Sequence, residues 1–274
     1  WPFATLGWPK ETSDYQYFYP TTILETGYDI LFFWVARMIM MGIELTGKPP
    51  FEIVYLHGLV RDIKGKKMSK TLGNVVDPIT YIEKYGADAL RMALVVGTTP
   101  GNDSKISEEK VVGYRNFANK LWNIARFVLS HESGGQNSKF GKARPFGYKT
   151  QNSDDQWILD ELNKTIKLVT SHLENFRLSQ AGEEIYNFIW HRFADIYIEK
   201  TKSRRPETQS TLFYILDQSL RLLHPFMPFV TETIWQEIKR SRPQSLVKKR
   251  PREIDAKNAI FSEEALVIAK WPGK

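Results

Sequence analysis

The chain has no cysteine among its 274 residues, which excludes disulfides and thiolate-held metals throughout. That composition fits a reducing compartment, and the cytoplasm is the expected location. Long apolar runs are missing too. The longest, Ile30 to Val35 and on through Met38 to Ile43, is broken by Arg37 and too short to span a bilayer, so no membrane segment is expected. The opening, Trp1-Pro2-Phe3-Ala4-Thr5-Leu6-Gly7-Trp8-Pro9, lacks a basic region, a cleavage site and an initiating methionine. No targeting peptide is expected there, and the chain reads as one entered partway. Acidic residues are in deficit: 38 Lys and Arg against 31 Asp and Glu give a formal charge of +7, which favours a polyanionic partner. What is present is enough for a sizeable core, since 42% of the residues are hydrophobic, and the length suits two domains.

The patterning changes near residue 107. Before it, short apolar runs alternate with Gly and Pro; after it, long amphipathic patterns dominate. A boundary is therefore expected between 1–106 and 107–274. In the first part, Ile30 to Leu45 reads as a helix ended by Gly47, and Ile53-Val54-Tyr55-Leu56 as a buried strand, together part of an α/β unit. Val60 to Met68 reads as a hairpin with Lys64-Gly65 at its tip. Asp77-Pro78 should cap a helix that Gly86 closes, and Asp88 can cap another. In the second part, one helix runs from Ser107 through Val128, and a second, capped by Ser153 or Asp154, carries Ile158, Leu162, Ile166, Val169 and Leu173. A third shows Ile185, Ile189, Phe193 and Ile196; a fourth Leu212, Leu216, Leu220 and Leu223; a fifth Val230, Ile234 and Ile238. Short connections favour antiparallel neighbours and a bundle. Residues 132–152 read as a loop, and 239–257 as a basic loop containing Lys248, Lys249 and Arg250.

The sharpest chemical signal is Lys66-Lys67-Met68-Ser69-Lys70-Thr71-Leu72-Gly73-Asn74. Lys67 and Lys70, three apart on a glycine-flanked loop, supply ammonium charges that can close over a triphosphate, where charge develops on a departing pyrophosphate. A lone pair of lysines at that spacing would equally suit a solvated basic turn. Upstream, Thr26-Gly27-Tyr28-Asp29-Ile30 opens a helix; Gly27 permits close backbone approach, and Asp29 can accept both ribose hydroxyls or serve as a plain helix cap. Ile30 and Trp34, four apart, share a helix face in either a pocket wall or ordinary core.

Taken in order with His57-Gly58-Leu59-Val60 before it and Tyr85-Gly86-Ala87-Asp88-Ala89-Leu90-Arg91 after it, the nine-residue string resembles the KMSKS loop of class I aminoacyl-tRNA synthetases. Thr71 stands where serine is usual and keeps the hydroxyl. The segments Thr5-Leu6-Gly7-Trp8-Pro9, Phe18-Tyr19-Pro20-Thr21 and Gly27 through Met38 are similar to the valyl members. So are Arg115 through Asn123 and Leu222 through Phe229, in their anticodon-binding domain. The resemblance fades over 132–152 and 239–258.

That resemblance implies an α/β second half of a class I nucleotide-binding fold carrying the loop, followed by an all-α bundle that binds the anticodon. It implies valine joined to tRNA(Val) through an adenylate, using ATP with Mg2+ as a substrate complex and no protein-held metal, in a full-length enzyme that is a monomer. By similarity, Gly27 and Asp29 would meet the adenosine ribose. His57, Gly58, Met68 and Ser69 would flank the nucleotide, Lys67 and Lys70 the phosphates, and Ile30 and Trp34 the valine side chain. Arg204 and Arg205, with Lys200 and Lys202, and the basic Lys248, Lys249 and Arg250 would face tRNA, although a solvated charge run explains the former group as well. His191 reads as a surface or satisfied histidine. The family's HIGH motif, editing domain and coiled coil are not in these residues, so this stretch alone should not aminoacylate. A stand-alone tRNA-binding module and an isoleucyl-type enzyme are the alternatives. An intact nucleotide loop argues against the first, and the opening segment against the second.

Overall fold

The structure is a computed structural model that describes residues 2–69, 71, 73–75, 77–130, 152–240 and 265–273. The chain forms two compact units, 1–75 with 98–105, and 76–97 with 106–274. The units interleave where a single boundary at 106/107 was expected, because 76–97 carries Met92 and Val96 into the core of the helical unit.

In the first unit, short helices α1 (Pro2–Thr5) and α2 (Ser13–Phe18) precede strand β1 (Thr21–Gly27). Thr12 starts α2 by accepting the Tyr15 N–H at 3.1 Å. The expected helix after β1 is there but not uniform: a 3-10 turn at Tyr28–Ile30 and a π-helical turn at Leu31–Val35 lead into α3 (Ala36–Thr46). Gly47 ends α3 in the left-handed region at φ 70°, which only glycine enters without cost, and its N–H returns to the Ile43 carbonyl. Strand β2 (Phe51–His57) contains the expected run but is not buried as expected, since Ile53 is 37% exposed and Val54, Tyr55 and Leu56 are half-buried; it pairs parallel with β1, from Thr21 opposite Phe51 to Gly27 opposite His57. A helical crossover is what a parallel pair requires. Short strands β3 (Val60–Arg61) and β4 (Ser104–Lys105) also pair parallel. The hairpin expected over 60–68 is present: Arg61 bridges Lys67 antiparallel, and Gly65 turns the tip at φ 77°.

The second unit begins with α4 (Pro78–Tyr85) and α5 (Ala87–Val95). Asp77 caps α4 through the Ile79 N–H at 3.0 Å, and Gly86 closes it. Asp88 does cap a helix, though one far along the chain. Its carboxylate accepts the N–H groups of Phe229 (3.2 Å) and Val230 (2.6 Å), and burial raises its pKa above the usual carboxylate value. Ser107 caps α6 (Glu108–Leu129). Helix α7 (Ser153–Glu174) is capped by Asn152, which accepts from Asp154 and Asp155, rather than by Ser153 or Asp154. Helix α8 (Leu178–Asn187) continues through a π-helical stretch, Phe188–Ile198, into α9 (Glu199–Thr201). Each π turn spends more residues than an α turn, so the buried stripe slips from the expected Ile196, 41% exposed, to Tyr197 and Ile198. Then come α10 (Arg205–Leu223), α11 (Pro228–Arg240) and a 3-10 turn at Leu266–Ile268.

Phe117 and Leu121 of α6, Ile158 and Leu162 of α7, Ile185 of α8, Leu212 of α10 and Trp235 of α11 are fully buried in one cluster. The α-helical stripes predicted from spacing therefore meet in a bundle core. Among the described residues no helix is long and apolar enough to cross a membrane.

Candidate active site

The parallel pairing of β1 and β2 ends with Gly27 beside His57. The carboxyl ends of parallel strands are where open α/β sheets bind ligands. A side chain added at Gly27 would meet Asp29 Oδ1 at 2.8 Å and His57 Cε1 at 3.6 Å, so the bare Cα lies between the two groups expected to serve a nucleoside. Asp29 is exposed and caps nothing: the N-cap of its 3-10 turn is Gly27. The plain-cap reading is thus set aside. His57 directs Nδ1 to the Gly58 carbonyl at 2.8 Å, and its Nε2 lies 3.5 Å from Glu25. Gly58 is packed against backbone. A Cβ there would fall 1.7 Å from the Asn102 carbonyl oxygen.

Segment 98–105 is what closes on these strand ends. Asp103 accepts the Leu59 N–H at 2.8 Å and pairs with the Arg61 guanidinium. These two donors hold its carboxyl below the usual range, while the Arg61 pKa is raised in return. Gly101 donates to the Leu56 carbonyl and Ser104 to that of Leu59. Neither Asn102 nor Asp103 was singled out from sequence, and nothing in local spacing marks residues that act on partners more than forty positions away.

The lysine-rich loop leaves this framework on the hairpin. Lys67 is exposed, and Met68 and Ser69 are half-buried. The Ser69 N–H donates to Asn74 Oδ1 at 3.0 Å. Lys70 lies outside the described residues. Ile30 and Trp34, at 39% and 46% exposed, are not core residues; they sit in the 3-10 and π-helical turns rather than on one regular α-helix.

In the helical unit the structure turns Arg204 inward. Its guanidinium lies 2.8 Å from Asp155 and its side chain is 19% exposed. Its guanidinium serves as a structural partner of Asp155. Lys200 pairs with Asp154 and Lys202 with Glu199, both at the surface. Arg205 opens α10, with its side chain outside the description, as are Lys248, Lys249 and Arg250. His191 is an exposed histidine beside Asp195, as expected, while Trp190 stacks on Tyr186 and carries Lys120 over its ring at 4.1 Å. Among the described residues no group of three or more acidic or histidine side chains could hold a metal.

Residues 1–107 match the family of class I tRNA synthetases for isoleucine, leucine, methionine and valine, and residues 155–274 match the anticodon-binding domain of tRNA ligases. The valine–tRNA ligase of Symbiobacterium thermophilum is 51% identical over 252 residues, which is 89% of this chain and 27% of that protein. That of Geobacillus kaustophilus is 50% identical over 281 residues, 99% of this chain and 29% of its own. The chain thus spans under a third of the length of these relatives. Among solved structures, Mycobacterium tuberculosis methionyl-tRNA synthetase in complex with methionyl-adenylate superposes with a TM-score of 0.65 at 23% identity, covering 91% of this chain and 48% of that one. The ternary complex of Agrobacterium radiobacter LeuRS with tRNA and LeuAMS gives 0.64 at 22%, covering 79% and 27%. These two show the fold, and identity at about half of the residues to valine–tRNA ligases, with the two matching domain families, shows the family: the chain belongs to the class I tRNA synthetases, in the valine–tRNA ligase family.

Proposed function

We propose that this chain supplies the phosphate-closing loop and the anticodon-binding helices of an enzyme that attaches valine to tRNA(Val) through valyl-adenylate. The observation that carries the reading is the exposed Lys67 loop beside strand ends that bring Gly27, Asp29 and His57 together. In this arrangement Gly27 lets a ribose approach the backbone, and the exposed Asp29 carboxylate accepts its hydroxyls. Lys67 and Lys70 place positive charge where the pyrophosphate departs, which lowers the barrier more than it tightens ATP binding. The exposed Ile30 and Trp34 side chains enclose a small branched side chain. Mg2+ bound to the triphosphate as part of the substrate complex would neutralise phosphate charge there.

The helical unit binds tRNA, with Lys248, Lys249, Arg250 and Arg205 as its candidate phosphate contacts. Cytoplasmic location and a monomeric enzyme complete the proposal. Identity near 50% to valine–tRNA ligases favours valine over isoleucine, and the retained lysine loop favours catalysis over a pure binding module.

The test is a chimera in which residues 1–274 replace the matching segment of the Geobacillus kaustophilus relative. Valine-dependent ATP–pyrophosphate exchange and charging of tRNA(Val) are expected. Lys67→Ala in that chimera should lower the exchange rate by roughly 10- to 100-fold with little change in the KM for ATP. A chimera that is folded but activates isoleucine in preference to valine, or nothing at all, overturns the reading.

A further inference from the structure

Residues 66–69 are joined to Asn74 by side chains that the reading above leaves without a role. Asp62, where the hairpin enters its tip turn, accepts the Lys66 N–H at 2.8 Å and Asn74 Nδ2 at 2.8 Å. The other end of the same amide, Asn74 Oδ1, accepts the Ser69 N–H at 3.0 Å. Asn74 Nδ2 also reaches the Lys67 carbonyl at 3.3 Å. Gly73, just before Asn74, sits in the left-handed region at φ 63°, which suits glycine.

One side chain thus ties together the tip turn of the hairpin, the backbone at Lys67 and the backbone of Ser69. It must donate to a carboxylate and a carbonyl while accepting from a backbone N–H, a combination that an amide offers and a carboxylate does not. Asp62 is committed in turn: the Asn74 amide and then the Lys66 N–H hold its carboxyl below the usual range.

We infer that Asn74, acting through Asp62, is a positioning residue: their clasp fixes the 66–69 backbone and so sets where Lys67 is presented to the polyphosphate. The inference rests on the reading of this loop as the phosphate-closing element of an adenylate-forming enzyme. Its physical basis is preorganisation. A charge delivered from a backbone already held in place stabilises a transition state without reordering the loop at the moment of reaction.

The test is a charge exchange. Asn74→Asp sets two carboxylates face to face and should open the clasp. Combining it with Asp62→Asn restores a donor opposite a carboxylate, with an acceptor still available for Lys66 and for Ser69. In the 274-residue chain, amide hydrogen exchange at Lys66 and Ser69 should quicken about tenfold or more in Asn74→Asp and return most of the way toward the parent in the double variant, which regains every contact but the 3.3 Å one to the Lys67 carbonyl. In the chimera described above, Asn74→Asp should lower kcat for ATP–pyrophosphate exchange by about tenfold with KM for ATP nearly unchanged, and the double variant should recover at least half of that loss on a logarithmic scale.

Unchanged amide protection in Asn74→Asp would remove the clasp. Protection that is lost and regained while kcat never moves would remove the positioning role and leave a loop brace only. The unsubstituted chimera separates these outcomes from a failure of the functional reading, because an inactive parent overturns that reading and the positioning role with it, whatever the amides show.

Discussion

Replacing Asp155 with alanine is expected to destabilise the helical unit by about 3–5 kcal/mol, the cost of stripping the partner from a buried charge. Asp155 is 5% exposed and accepts from Tyr197 Oη at 2.9 Å and from the Arg204 guanidinium at 2.8 Å. Alanine leaves both donors without that acceptor, in a site where burial and the neighbouring carboxylate already raise the Tyr197 pKa above its ordinary value. It also removes an acidic group from the first turn of α7, where the helix dipole favours negative charge. For a unit of this size the melting temperature should fall by roughly 10 °C. Asp155→Asn keeps an acceptor and should cost less. Adding Arg204→Met to Asp155→Ala should recover part of the loss, since it removes a guanidinium left with only Asp154, at 3.8 Å, for a partner. Melting curves followed by far-UV circular dichroism decide it, and a fall below about 2 °C for Asp155→Ala would contradict the buried pair as its cause.

The same pair shows where the sequence stops being informative. Arg204 stands in a basic cluster with Lys200, Lys202 and Arg205, and composition alone cannot say which of them turns inward. The partner that decides it, Asp155, lies 49 positions away. Local chemistry was legible where its partner is local. Asp77 caps the helix it precedes, and Gly47 and Gly86 close helices, because each acts within a turn of itself. Where three polar residues adjoin, as at Asn152, Ser153 and Asp154, each could accept a free N–H, and only the backbone path chooses Asn152. Asp88 had the chemistry of a cap but meets its N–H donors 141 and 142 positions on.

Periodicity found every long helix yet missed the π-helical stretches at Leu31–Val35 and Phe188–Ile198, since a few wider turns alter the apolar spacing too little to show. The candidate site divides in the same way. Gly27, Asp29, His57 and the lysine loop are contiguous strings with recognisable order, whereas the clasp at Asp62 and Asn74 and the closure by Asn102 and Asp103 exist only once the chain has folded.

That closure makes Gly58→Ala the substitution expected to disrupt the first unit most. The added Cβ would lie 1.7 Å from the Asn102 carbonyl oxygen, 2.1 Å from its carbon and 2.6 Å from the Asp103 nitrogen. All three are backbone atoms, so no side-chain rotation relieves the overlap and the segment itself must move. Overpacking of ordinary side chains costs about 1–3 kcal/mol, and a clash with fixed backbone belongs at or above the top of that range. Displacing 98–105 breaks the Gly101–Leu56 and Ser104–Leu59 hydrogen bonds, which are 2.9 and 3.0 Å in the parent. It also takes Asp103 from Leu59 and Arg61, and with it the pairing of β3 and β4. Amide exchange at Leu59, Gly101 and Ser104 should therefore quicken by roughly a hundredfold, as expected for a loss near 3 kcal/mol. Amides in the core of the helical unit should keep their protection, because that unit has its own apolar cluster. Gly101→Ala is the control: it meets nothing within 4 Å and carries only the strain of its φ of 72°, so its effect should be much smaller. Equal exchange rates in Gly58→Ala and Gly101→Ala would show that segment 98–105 does not depend on the missing side chain at 58.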